Sequence, residues 1–416
     1  MIDRALRRWL AWRPGRLAQH GGALLVWMML RAAAQAGTVV LLARTLAAQT
    51  YGEFVAVIAV AGFVVPLAGL GLSNMVLRNV ARDPHAAPWY LERAVTTWSR
   101  TLLPLSAAAI GIALLLIPKG LPVAAMAAAI CGELLGSSLT ELAGRYRQAQ
   151  HRHHAYGAIN AGLPLVRLFA LGLLVFLTHR TDLASVLWTF TAASVAYALL
   201  LWPVVRAGTP VVAAGATEAM PVHSGLPFSA SALAMRLQGE FNKPVLAHAG
   251  FGLAGSYNIA QRAVDMASLP LLAMLEALWP RLYAQADPMP QLKRAGLVLM
   301  GGAVGLGAGV WLAAPLLTLL VGNEYADAVE TMRWLGLLPA MQVGRNLITC
   351  HSIHRGWMRN IALTSIFGGI ISVMAVSTLV PALGLQGAVL ATYATELGMS
   401  AALIVLACRS TALRSL

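Results

Sequence analysis

The sequence predicts an all-α membrane protein that crosses the bilayer twelve times. Of its 416 residues, 58% are hydrophobic and only 11% are charged, whereas soluble domains usually carry about 25% charged residues. The mean hydropathy is +0.70, and apolar runs of about 20 residues, enough for one bilayer crossing, recur along the chain. The twelve spans are predicted at 21–43, 51–77, 95–117, 122–147, 157–178, 183–205, 226–249, 254–280, 295–320, 328–350, 360–381 and 384–407.

The N-terminal segment, residues 1–20, is basic and precedes the first span. A cleaved signal peptide is the alternative interpretation. Arg31 interrupts the apolar run that follows, however, and this run continues for about a full bilayer span. We therefore interpret residues 1–20 as a cytoplasmic segment with a short surface helix, whose arginines face anionic lipid headgroups.

The basic residues are distributed unevenly between the two sides of the predicted bundle. Most of them lie in alternate loops, and the opposite loops carry only Arg44, Lys119 and Arg180. Cytoplasmic loops are enriched in Lys and Arg, so both termini are predicted to be cytoplasmic. The formal net charge of +14 does not indicate a nucleic-acid partner, because the basic residues form no patch on a soluble domain.

The longest polar break, residues 207–225, predicts a cytoplasmic linker between an N-terminal lobe at 21–206 and a C-terminal lobe at 226–416. Each lobe contains six predicted spans. LAAQTYGEF (46–54) aligns with GLAGSYNIA (252–260), which places Tyr51 on Tyr257 and Arg31 within one residue of Arg236. Such internal repeats are common in secondary transporters, whose binding sites lie near the midplane between the repeats.

Between its ends, the apolar stretch 226–276 carries five charged residues, namely Arg236, Glu240, Lys243, Arg262 and Asp265. The first three are spaced i, i+4, i+7 and share one helix face. An ionisable residue inside a membrane span costs roughly 2.5–3.5 kcal/mol on insertion scales and normally serves a cavity, a substrate or a proton path. The alternative is a set of internal salt bridges that only stabilise helix packing.

Three arginines, Arg31, Arg167 and Arg236, lie about ten residues inward from a predicted cytoplasmic helix end. This distance corresponds to about 15 Å, close to the midplane. Guanidinium groups bind phosphate through paired hydrogen bonds. We therefore predict that these arginines, with Lys243 and Arg262, bind an anionic substrate such as a lipid diphosphate or an acidic sugar. The alternative is structural pairing with acids inside the spans: Glu133, Glu240, Asp265 or Glu396.

Two acids at mid-depth, Glu240 and Asp265, are candidates for ion coupling. An acid in a cavity can alternate between protonated and ion-paired forms, which would let a proton or sodium gradient drive turnover. The alternative is a permanent salt bridge to Lys243 or Arg262, their i+3 and i−3 neighbours. Pro244 is predicted to kink the seventh span, because proline removes a backbone hydrogen bond.

Motifs of catalysis and metal binding are absent from the sequence. There is no G-x-S-x-G, H-E-x-x-H or P-loop motif, and the three cysteines lie in apolar segments without a CxxC pair. The HRHH run at 151–154 is interpreted as a basic loop near lipid headgroups and not as a metal site. The sequence therefore predicts neither an enzyme nor a cofactor or metal.

Three segments resemble the Wzx-type oligosaccharide flippases of polysaccharide biosynthesis: residues 42–82, 255–285 and 320–339. In the first segment the matching positions are Ala43, Arg44, Leu46, Tyr51, Gly52, Gly71, Leu72, Arg78 and Arg82. The resemblance implies membership of the MATE-like multidrug/oligosaccharidyl-lipid/polysaccharide (MOP) exporter superfamily, with two six-helix lobes arranged in a V.

The resemblance also implies a function and partners. Such flippases carry an undecaprenyl-diphosphate-linked oligosaccharide from the cytoplasmic to the outer leaflet of the bacterial inner membrane, by alternating access, for O-antigen or exopolysaccharide assembly. Their partners include membrane lipids, a polysaccharide polymerase and a chain-length regulator. One alternative is a cation-coupled drug exporter of the same superfamily. A membrane polymerase or acyltransferase is a further alternative, which the short outer loops disfavour.

Overall fold

The computed structural model describes residues 16–179, 181–206, 220–283, 289–355 and 357–412, and these residues contain no β-strand. Fifteen α-helices make up most of the described chain. They are α1 Arg16–Thr45, α2 Ala48–Val64, α3 Leu72–Arg82, α4 Ala87–Leu116, α5 Val123–Ala149, α6 His153–Leu173, α7 Leu183–Arg206, α8 Leu226–Glu240, α9 Asn242–Ala249, α10 Phe251–Tyr283, α11 Met289–Ala313, α12 Leu316–Val321, α13 Ala326–Trp334, α14 Leu338–His354 and α15 Met358–Ala412.

These helices form the predicted twelve spans, six in each lobe. Within the described residues, eight helical segments are long and apolar enough to cross a bilayer. Spans seven and ten do not qualify as single helices, because α8 and α9, and α13 and α14, are separate short helices. Span eight, α10, is long enough, but it carries the polar residues Asn258, Gln261, Arg262 and Asp265. The last two spans are counted as one segment, because a single helix, α15, contains both.

The second span is not one helix over 51–77, as predicted, but is interrupted after Val64. Residues Val65–Gly71 form a distorted 3₁₀ segment that contains Pro66. Gly69, Leu70 and Gly71 all have positive φ angles, of 74°, 50° and 73°, in the left-handed region that only glycine adopts readily. The chain continues as the amphipathic helix α3, whose charged side chains include Arg78 and Arg82.

The seventh span is also broken, as the position of Pro244 predicted. Helix α8 ends at Glu240 and α9 begins at Asn242. Phe241, between the two helices, keeps helical dihedral angles, with φ −68° and ψ −25°. The break therefore coincides with the hydrogen bond to the Glu240 carbonyl that Pro244 cannot donate. The last two spans, predicted as two separate helices, form one helix. They are joined in α15 across one non-helical residue, Gly384, with a φ of 56°.

The C-terminal half of the chain contacts the N-terminal lobe at both ends of the segment formed by α2 and the 3₁₀ turn that follows it. At the end near Arg44, the Gly52 backbone packs on Phe251 so closely that a Cβ at position 52 would lie 1.7 Å from the Phe251 carbonyl oxygen. At the other end, a Cβ on Gly71 would lie 2.3 Å from the Gly225 carbonyl oxygen. Glycine is required at both contacts because the backbones touch. The main apolar core runs through this seam and includes Val57, Tyr257 and Val264.

Two predicted segments lie outside the described residues: most of the N-terminal segment at 1–20, and residues 207–219 of the linker. The end of the linker is described. Met220 is buried against the N-terminal lobe, and Val222–Gly225 forms a 3₁₀ turn that leads into α8.

Candidate functional site

The break between α8 and α9 places an ion pair inside the seventh span. The Nζ atom of Lys243 lies 2.5 Å from Oε2 of Glu240. The Lys243 side chain is only 2% exposed, whereas the Glu240 side chain is 13% exposed. This pair is the alternative considered for Glu240 in the sequence, a salt bridge to its i+3 neighbour. A buried lysine requires such a partner, because an isolated ammonium group inside a membrane protein is costly.

A second cation approaches the same carboxylate from α10. Nη2 of Arg262 lies 3.4 Å from Oε1 of Glu240, and the Arg262 side chain is 37% exposed. Asp265 lies one turn further along α10. It makes no ion pair of 4 Å or less with any described residue, but the charges of Arg262 and Lys243 act on it. Asp265 is therefore near two cations but forms a close ion pair with neither.

Arg31 on α1 and Arg236 on α8 complete the group. Both side chains are exposed, and within the described part of the chain neither makes an ion pair. The positive charges of Arg236 and Arg262 act on Arg31, and Arg236 acts on Glu240. An arginine from the N-terminal lobe thus faces arginines from the C-terminal lobe. We call Arg31, Arg236, Glu240, Lys243, Arg262 and Asp265 the central charge cluster.

The central charge cluster has an excess of positive charge. It combines four cations with two carboxylates, a formal charge of +2 when all six groups are ionised. Like charges that face each other destabilise a site unless a counter-charge lies between them. Accessible guanidinium groups are also well suited to bind phosphate oxygens. The charge and the accessible guanidinium groups of the cluster therefore favour binding of an anion over binding of a cation.

Arg167, the remaining predicted substrate residue, lies in a different environment inside the N-terminal lobe. Its Nη2 atom is 2.7 Å from Oε2 of Glu133, its Nε donates a hydrogen bond to Ser194 Oγ at 3.0 Å, and its guanidinium stacks 4.1 Å from the ring centre of Phe190. The structural alternative considered for this arginine is therefore present. Glu133 still acts electrostatically on Arg262, so the pair borders the central charge cluster without joining it.

A comparable ion pair lies in the C-terminal lobe, where Arg345 Nε is 2.7 Å from Glu396 Oε2. Sequence reasoning considered Glu396 as a partner for Arg31, Arg167 or Arg236 but did not single out Arg345. The spacing between positions 345 and 396 carries no helical signal, because the two residues belong to different helices, α14 and α15.

Neutral polar residues next to the cluster were also missed. Asn258 Nδ2 donates a hydrogen bond to the Tyr51 hydroxyl at 2.8 Å, across the two lobes. Asn242 Nδ2 donates to the Tyr257 hydroxyl at 2.9 Å, within the C-terminal lobe. The alignment of Tyr51 with Tyr257 was the signal that could have identified these residues, since both tyrosines are buried and both accept from an asparagine.

The end of the seam near Arg44 is closed by several contacts between the lobes. Arg44 Nε donates to the Leu320 carbonyl at 2.6 Å, and its Nη2 donates to the Leu319 carbonyl. These carbonyls end α12, where a cation is favoured by the helix dipole. The Ala48 amide donates to Glu324 at 3.3 Å, and the Tyr51 and Tyr325 rings meet edge to face at 5.9 Å.

Among the described residues, no group of three or more His, Cys, Asp or Glu side chains could hold a metal ion. In the HRHH run, the rings of His151 and His153 lie 6.3 Å apart, edge to face. The interpretation of this run as a basic loop stays a prediction.

Comparison with protein-family models identifies the family of this chain. The model of the polysaccharide biosynthesis protein family matches residues 17–284, which is more than half of the chain. The chain therefore belongs to the polysaccharide biosynthesis protein family. Comparison with curated protein sequences gives no significant match.

Several solved structures of transporters share this fold. The lipid II flippase MurJ in an inward closed conformation has a TM-score of 0.72 and 9% identity, over 92% of this chain and 87% of that chain. An inward-facing MATE-family multidrug resistance transporter has a TM-score of 0.68 and 14% identity, over 94% of this chain and 99% of that chain. A MOP-superfamily transporter from Pyrococcus furiosus, described as having a binding pocket of reversed polarity, has a TM-score of 0.57 and 14% identity, over 95% and 94%. The predicted MATE-like fold, with two six-helix lobes in a V, is confirmed.

Proposed function

We propose that this protein is a flippase that moves an undecaprenyl-diphosphate-linked oligosaccharide from the cytoplasmic to the outer leaflet of the bacterial inner membrane. The observation that carries the proposal is the pair Arg31 and Arg236. The two arginines come from different lobes, are accessible and unpaired among the described residues, and repel each other. The family of the chain is one of polysaccharide biosynthesis, in which lipid-linked sugars are the intermediates that must cross a membrane.

The charge of the central charge cluster supports a diphosphate as the group that is bound. A diphosphate diester carries two negative charges, which would neutralise the formal excess of +2 in the cluster. Binding would place the anion between Arg31 on one lobe and Arg236 and Arg262 on the other. Because this removes the repulsion between the lobes, it stabilises a closed state around the substrate, as alternating access requires.

Several finer features belong to the same proposal. Both termini are cytoplasmic, so the end of the seam near Arg44 faces outward and the Gly71 end faces the cytoplasm. Asp265 and Glu240 couple turnover to a proton or sodium gradient, and Asp265 is the better candidate because it lacks a close cation. The product serves O-antigen or exopolysaccharide assembly, in which a polymerase and a chain-length regulator act next.

The proposal is tested by reconstituting the purified protein in liposomes that contain a fluorescent undecaprenyl-diphosphate oligosaccharide. Wild-type protein is expected to move this lipid between leaflets, and inorganic pyrophosphate is expected to compete. A matched glycolipid with the same prenyl chain and sugar but no phosphate should move far more slowly. Equal rates for both lipids would refute the phosphate-binding role. Transport of cationic drugs without lipid transport would support the exporter alternative.

A further inference from the structure

Two cations share one carboxylate in the central charge cluster, and they do so unequally. Lys243 binds Glu240 at 2.5 Å and is 2% exposed, whereas Arg262 lies 3.4 Å from Glu240 and is 37% exposed. The lysine therefore makes the close contact and is shielded from solvent. The arginine has a weak contact and an accessible guanidinium group.

The geometry of the seventh span explains this inequality. Glu240 ends α8 and Lys243 lies in the first turn of α9, so the short link between the helices keeps the two side chains together. Arg262 belongs to a separate helix, α10, so no short link ties it to Glu240. If Lys243 were absent, Glu240 would be a nearly buried carboxylate with Arg262 as its nearest cation. An unpaired carboxylate in such a place is costly, so Glu240 would draw Arg262 into a close ion pair.

We infer that Lys243 is a positioning residue, which occupies Glu240 so that the guanidinium of Arg262 stays available to bind substrate phosphate. This inference rests on the proposed function, because it assumes that the central charge cluster binds a diphosphate. It changes the role predicted from the sequence, in which Lys243 itself touches the substrate. It also explains why a buried lysine accompanies Glu240 when a second cation is already present.

The experiment compares two double variants that carry the same charge. Lys243→Met removes one cation and should weaken binding of inorganic pyrophosphate to the full-length protein in detergent by about tenfold or more, the effect of losing one charge-assisted hydrogen bond. Glu240→Gln/Lys243→Met restores the charge and removes the competitor for Arg262, so affinity should return to within about twofold of wild type. Asp265→Asn/Lys243→Met restores the same charge but leaves Glu240 to capture Arg262, so binding should stay weak.

Two outcomes would overturn the inference. Equal recovery in both double variants would mean that only total charge matters. Weak binding by a folded Glu240→Gln/Lys243→Met variant would mean that Lys243 contacts the anion directly. If Lys243→Met alone does not fold, Glu240→Gln decides the question: it should bind pyrophosphate at least as tightly as wild type, and weaker binding contradicts the inference.

A matched control is available in the C-terminal lobe. Arg345→Met/Glu396→Gln removes the Arg345–Glu396 pair without leaving either charge uncompensated, and neither of these charges is among those that act on Glu240, Lys243 or Arg262. It should leave pyrophosphate affinity within about twofold of wild type. The proposed function is tested separately in liposomes. If wild-type protein binds pyrophosphate but moves no lipid-linked oligosaccharide, the proposed function fails and the role of Lys243 stands. If wild-type protein does not bind pyrophosphate, both fail.

Discussion

The arginine inside the N-terminal lobe and the arginines at the lobe interface differ in pairing and in exposure. In the lobe, Arg167 is held by Glu133, Ser194 and Phe190 and is 12% exposed. At the interface, Arg236 and Arg31 are exposed and form no ion pair with the described residues. Similar depth in the bilayer therefore does not imply a similar role. An arginine that is paired with a carboxylate inside a lobe contributes to packing, whereas one left accessible between the two lobes is available for a ligand.

The largest expected effect tests the packing side of this comparison. Glu133→Ala leaves Arg167 as an uncompensated charge in the lobe and should reduce the free energy of unfolding by about 3–5 kcal/mol. Arg236→Ala should change it by only about 0.5 kcal/mol, because this side chain is exposed. Thermal and denaturant unfolding in detergent micelles measure both. A Glu133→Ala/Arg167→Met double variant should be more stable than Glu133→Ala; equal losses in Glu133→Ala and Arg236→Ala would erase the distinction.

The functional side of the comparison predicts a loss of transport at Arg236. Removing one charge-assisted contact to phosphate costs about 1.5–3 kcal/mol, so Arg236→Ala should slow flipping by about 10- to 100-fold. Arg236→Lys keeps the charge but loses the paired geometry and should give an intermediate rate. Arg100→Ala, which changes an exposed arginine on α4, is the control. Wild-type flipping by folded Arg236→Ala would remove Arg236 from the substrate site.

That variant also separates substrate binding from a structural role. If Arg236 mainly balances Glu240, Arg236→Ala should lower the yield of folded protein, and Arg236→Ala/Glu240→Ala should restore both folding and transport. If Arg236 binds phosphate, the double variant stays folded but inactive.

Asp265 extends the comparison to the acids, because it lacks the close cation that Glu240 and Glu133 have. A membrane potential of 100 mV supplies about 2.3 kcal/mol per charge moved. Asp265→Asn should abolish the stimulation of flipping by an imposed proton or sodium gradient while leaving the protein folded. Asp327→Asn, at an exposed acid on α13, should keep the stimulation. Gradient-driven flipping by Asp265→Asn at the wild-type rate would assign Asp265 to packing.

The smallest predicted effect concerns the two tyrosines of the repeat. Tyr51→Phe removes the acceptor for Asn258 across the lobes and should cost about 1 kcal/mol of stability. Tyr257→Phe removes the acceptor for Asn242 and the contact with Thr392 within one lobe, so its cost should be at least as large. Only Tyr51→Phe should also loosen the lobe contact near Arg44, which cysteine cross-linking between the ends of α2 and α10 measures.

The sequence by itself determined the features that depend on the hydropathy of consecutive residues. Hydropathy added over about 20 residues locates a span whatever its neighbours are, so the twelve spans and the two lobes followed directly from the sequence. Proline and glycine also act locally, and Pro244 marked the break in the seventh span. The stretch 226–276 likewise identified five of the six members of the central charge cluster, because ionisable residues stand out among apolar ones.

Only the tertiary structure decided which of those charges are paired and which are accessible. Arg345 and Glu396, for example, lie on different helices. The crossing of the two helices brings their side chains together, and the periodicity of the sequence does not indicate such a pair. The break in the second span likewise lies at a tertiary contact, where the backbone of Gly225, at the end of the linker, meets Gly71. Lys243 and Arg262 were equivalent as cations in the sequence; their distances to Glu240 and their exposure separate them, because burial is a property of the packed helices and not of the residues.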